Sequence, residues 1–117
     1  MLIDRRDLLL GAGAFALTSS LPARGQAGDA SAEAVLAEVA EALLADYPEN
    51  ATILGLDHGA RAGLKSRLAD RSAAGQQAIA RRAGERLARL RAIDPARLGP
   101  AARIDVDVVR TAHETAL

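Results

Sequence analysis

Two short stretches hold residue types suited to acid–base or metal chemistry. His113-Glu114 has the opening of HExxH, in which two His one helical turn apart hold zinc and the Glu activates a water. The second His would fall at residue 117, which is Leu. His113 lies four residues after Val109 and four before Leu117, a spacing that sets it on an apolar helix stripe as a packing residue. Glu114, four residues after Arg110, is expected to be that arginine's exposed partner. The other His stands in Asp57-His58-Gly59, where an adjacent Asp could orient an imidazole for base work. Its available hydroxyls, Ser66 and Ser72, sit in no recognisable nucleophile elbow, and Asp-His-Gly is also an ordinary turn ending a helix.

Other chemistry is weaker still. Asp105 and Asp107 are two apart, so on a helix they point to different faces, and Arg103–Asp107 and Asp107–Arg110 pairs are expected instead. Leu8 to Ala16 contains GxGxxA, but no second strand follows to make the βαβ unit that a dinucleotide needs. The chain has no Cys, which removes disulfides, thiolate metal sites and a cysteine nucleophile. No catalytic residue, metal ligand or cofactor-binding residue is assigned in this chain.

The elements that would position these residues are helical. The pattern predicts a first helix from an N-cap at Ser31 to Asp46, with Leu36, Val39, Leu43 and Tyr47 on one stripe. Pro48 suits the first turn of a short second helix that Gly55 can end in a left-handed conformation. Residues 55–71 read as a connector with a helical turn at 64–68. Ser72 opens a long helix to about Ile93, striped by Ile79, Ala83, Leu87 and Leu90, and Asp94-Pro95 stops it. A last helix starts near Pro100, with Ile104 and Val108 on one edge and Val106, Val109 and Leu117 on the other. The fold class expected is all-α, a hairpin or bundle segment of three to four helices.

Net charge is zero, from fifteen basic and fifteen acidic residues. It is segregated: residues 29–57 hold seven acidic and no basic side chains, and 61–91 hold nine basic and two acidic. An acidic helix beside a basic one accounts for this, with Glu85 placed to pair with Arg81 and Arg89. Without interleaved aromatics for base stacking, no nucleic-acid partner is expected.

Residues 1–27 have the layout of an export signal. Arg5-Arg6, one polar residue and then Leu8-Leu9 match the twin-arginine motif, so the targeting residues are Arg5, Arg6, Leu8 and Leu9 and one partner is the twin-arginine export machinery. Cleavage is expected after Ala27, with Ala23 next. The apolar run from Leu8 to Leu17 spans about half of a ~30 Å hydrocarbon core, so no stable membrane span is expected after cleavage. The protein is expected in the periplasm or outside the cell, with residues 28–117 as its helical body. That body has 20 Leu, Ile or Val and one aromatic, Tyr47, a thin core for its length.

Three stretches, 46–56, 63–72 and 89–110, resemble the N-terminal region of a bacterial family known as domain of unknown function 885. The resemblance implies a largely helical, exported protein of several hundred residues, with an HExxH-type zinc site further along its chain. It covers most of residues 31–117, and no zinc ligand carries over onto this sequence; zinc would belong to a full-length parent. The expectation is an exported N-terminal helical segment of a zinc-dependent hydrolase or peptidase-like protein, lacking its catalytic site and packed on the rest of the parent chain. The rival is a complete small helical protein binding a periplasmic partner.

Overall fold

The chain rises into helix wherever its apolar spacing is three or four and turns wherever Gly, Pro or a capping residue interrupts it. In the computed structural model, which describes residues 23–117, four α-helices and two 3-10 turns follow one another: α1 (Ala23–Asp46), α2 (Pro48–Ile53), a 3-10 turn (Gly59–Ser66), α3 (Ala73–Arg91), a second 3-10 turn (Pro95–Arg97) and α4 (Pro100–Ala116). There is no strand among the described residues. The fold class is all-α. The targeting residues Arg5, Arg6, Leu8 and Leu9 lie outside the described residues.

Local chemistry sets most boundaries. Ser72 caps α3 by accepting from the Gly75 amide at 3.0 Å. Asp94 caps the second 3-10 turn by accepting from Ala96 at 2.9 Å. Pro48 occupies the first turn of α2, where its missing N–H leaves no helical bond unmade. Gly55 ends that helix at φ 68°, a left-handed conformation that a side chain would strain.

The first helix departs from expectation. It is already helical at Ala23, the first described residue, well before Ser31, so the expected cleavage point after Ala27 lies within α1. A contact seventy positions away braces these roughly two extra turns: Asp29 Oδ1 accepts from the Gly99 amide at 2.8 Å. A Cβ on Gly28 would sit 2.1 Å from the Arg97 carbonyl oxygen, so only glycine lets α1 close on that loop. Gly99 precedes α4 without a capping side chain of its own. Asp29 therefore supplies both the acceptor and the negative charge that the start of α4 favours.

The helices α1, α3 and α4 touch one another pairwise, and α2 with the first 3-10 turn closes one end. Ala32, Leu98 and Val106 form a small buried cluster, with Leu36, Ile93 and Ala102 against it. Val39 on α1 and Ile79, Leu87 and Leu90 on α3 are also buried, as their stripes predict. On α4 Val106 is buried and Val109 half-buried, but Leu117, expected on the same edge, is 60% exposed, and Ile104 and Val108 on the other edge are 63% and 62% exposed.

Candidate functional site

The feature that stands out is a groove where α1, α3 and α4 meet, about 290 Å³ in volume. Leu43 and Tyr47 wall it from α1, Ile79 and Ala83 from α3, and Ala112 and Leu117 from the last turns of α4. Gln76, Arg86 and His113 also line it; Gln76 is exposed and its Nε2 donates to the Asp70 carbonyl at 2.8 Å, whereas Arg86 and His113 are buried.

Arg86 is held from α1. Its Nη1 donates to Asp46 Oδ2 at 2.9 Å, and Asp46 Oδ1 accepts from Arg82 Nε at 2.8 Å. One buried carboxylate thus joins two guanidinium groups a helical turn apart, leaving one positive charge in excess. Arg86 Nε has no hydrogen-bond partner. His113 Nδ1 lies 2.8 Å from the Val109 carbonyl oxygen. A carbonyl only accepts, so the proton of the neutral ring sits on Nδ1 and Nε2 presents a lone pair. That Nε2 is the second buried atom without a partner. Leaving such a group unpaired costs about 1–3 kcal/mol. The packing role expected of His113 is therefore what the structure shows, with one polar atom left over.

The remaining sequence candidates do not assemble. His58 is exposed, and its neighbour Asp57 is buried, accepting from Thr52 Oγ1 at 2.7 Å. Ser66 donates to the Gly63 carbonyl and Ser72 is spent on its cap. Among the described residues no three His, Asp or Glu side chains are grouped as metal ligands would be.

The charge segregation resolves into pairs across elements. Arg89 meets Glu38 and Arg61 meets Glu41 on α1, and Arg71 Nη2 donates to Glu49 at 2.9 Å. Three local expectations are corrected. Arg89 reaches across to α1 rather than along its own helix to Glu85. Glu114 accepts from Arg91 at 2.8 Å rather than pairing with Arg110. Arg110 donates to Asp107 at 2.7 Å, as expected, while Arg103 turns to the Pro95 carbonyl. Helix neighbours are within reach, but here the helix crossing brings an acid from another element just as near, and the resulting pairs are exposed ones.

Hydrogen bonds hold three carboxylates below their ordinary range. Glu41 is lowered chiefly by the Arg61 side chain. Glu49 is lowered first by its own amide, then by that of Ala69 and by Arg71. Asp70 is lowered by the side chain and then the amide of Ser72.

No family model, curated protein or solved structure matches the chain. What the site offers chemically therefore rests on its own atoms: a donor and an acceptor, buried and unpaired, in a groove whose other walls are mostly apolar apart from Gln76 and Tyr47.

Neither Asp46 nor Arg86 is a site candidate on sequence grounds. A signal was present, since Arg82 and Arg86 fall three and seven residues after Ile79, on the stripe that ends in Leu90. A cation on an apolar stripe requires a buried acid opposite it.

Proposed function

We propose that this chain is the exported N-terminal helical segment of a zinc-dependent hydrolase or peptidase-like protein, serving as a packing wall for the rest of that protein. The twin-arginine signal would direct it to the periplasm and be removed after Ala27. Zinc would be held by residues beyond this segment.

The observation that carries the reading is the apolar surface left uncovered. Ile104 and Val108 lie one turn apart on the outer edge of α4, and Ile53 and Leu68 near α2 are 77% and 83% exposed. Single exposed apolar residues are ordinary, but a helical row beside a thin core is what a neighbouring element covers. The likeness of 46–56, 63–72 and 89–110 to the front of the zinc family adds support.

The test is the size of the native product, from an immunoblot of the periplasmic fraction with an antibody against residues 31–47. A band several times heavier than the 12.1 kDa of this chain supports the reading, and zinc content and peptidase activity are then measured on that product. A stable band at or below 12.1 kDa overturns it in favour of a small binding protein. Replacing Arg5 and Arg6 by Lys is expected to abolish the periplasmic signal in either case.

A further inference from the structure

We infer that the groove between α1, α3 and α4 is a binding site for a small apolar molecule carrying an amide group. Its walls fix the first half of that description. Leu43, Ile79, Ala83 and Ala112 offer hydrocarbon contact, and the volume of about 290 Å³ is near the lower end of small-molecule pockets.

The second half follows from the two unpaired atoms. Arg86 cannot lose its proton, so its Nε–H is a donor in search of an acceptor. His113 Nε2 is a lone pair in search of a donor, because Nδ1–H already serves the Val109 carbonyl. A carboxamide supplies both groups at one end of a molecule, its C=O to Arg86 and its N–H to His113. A carboxylate supplies acceptors only and would set an anion against the His113 lone pair. An alkane leaves both atoms unpaired.

Both nitrogens are covered in this structure, so entry requires a wall residue to move. Leu117, one turn beyond His113 and 60% exposed, is one of those wall residues. The inference does not depend on the proposed hydrolase: the groove belongs to these helices whatever they pack against.

The probes are 4-methylpentanamide and its near-isostere 4-methylpentanoate, titrated into the full chain at about pH 8, where an ordinary His is neutral. The readouts are the side-chain nitrogen NMR resonances of His113 Nε2 and Arg86 Nε. The expected result is a saturable shift of both resonances by the amide, with affinity at least about tenfold above that of the carboxylate. His113→Phe, which keeps a ring and removes Nε2, is expected to lose about tenfold in amide affinity with an unchanged helical circular dichroism spectrum. The wild-type titration decides the matter if that variant fails to fold. Equal or tighter binding of the carboxylate overturns the donor–acceptor assignment, and the absence of any shift up to the solubility limit of the amide overturns the site.

Discussion

Asp46 and Arg86, forty positions apart, meet as a buried ion pair in which Nη1 donates to Oδ2 at 2.9 Å. The pair ties the end of α1 to the middle of α3. Asp46→Ala removes the acid and strands a buried guanidinium, so it is expected to destabilise by about 3–5 kcal/mol. Arg82 shares the same carboxylate but is 41% exposed along its side chain, and Arg82→Ala is expected to cost no more than about 1 kcal/mol. Urea unfolding followed by circular dichroism separates the two. Equal losses would mean that Asp46 is not buried as described.

Two glycines of the α3 region should respond in opposite directions to the same substitution. A Cβ on Gly84 meets nothing within 4 Å, so Gly84→Ala replaces a poor helix former by the best one and should stabilise by up to about 1 kcal/mol. A Cβ on Gly75 would lie 2.5 Å from the Asp70 carbonyl oxygen. Gly75→Ala should therefore lower the melting temperature despite its gain in helix propensity, because the Asp70 backbone must move.

The segment joining the first 3-10 turn to α3 should loosen in acid. Glu49 accepts from the Ala69 amide at 3.0 Å and Asp70 from the Ser72 amide at 2.9 Å, and both carboxyls are lowered in the fold from ordinary values of 4.5 and 3.8. A carboxyl lowered by folding stabilises above its unfolded value, and that contribution fades as pH falls through the folded one. The amide shifts of Ala69 and Ser72 should hold steady above about pH 5 and change cooperatively below it. Glu49→Gln should flatten the Ala69 titration alone. An Ala69 midpoint above 4.5 would contradict the assigned sign.

The exposed row on α4 is expected to make the isolated protein associate. Replacing Ile104 by Lys and Val108 by Glu should leave helicity unchanged and shift sedimentation toward the monomer. An unaltered association state would show that this row is not what brings copies together.

What could be read from the sequence was whatever a few adjacent residues decide. Ser72, Pro48, Gly55 and Asp94-Pro95 end or begin helices through their own side chains and backbone, and each does so at its expected place. The stripe through Ile79, Leu87 and Leu90 was equally legible, because burial follows helical period. The start of α1 was not, since Gly28 and Asp29 are held by Arg97 and Gly99 on the far side of the chain. Partner choice among the arginines failed for the same reason: Glu85 is near Arg89 in sequence, but Glu38 is where packing puts an acid. The site was half legible. His113 fell on the expected face, while the Asp46–Arg86 pair needed the crossing of two helices to exist.

The docking of Gly28 against Arg97 also gives the chain a kinetic property. A protease that cuts after Ala27 would have to break the bond to that locked glycine itself, within a stretch wound into helix. Access to it is then set by how often the first turns of α1 detach from the start of α4. The rate of maturation would follow the strength of the Asp29–Gly99 contact, so that a fold loosened at that corner is trimmed sooner than a firm one.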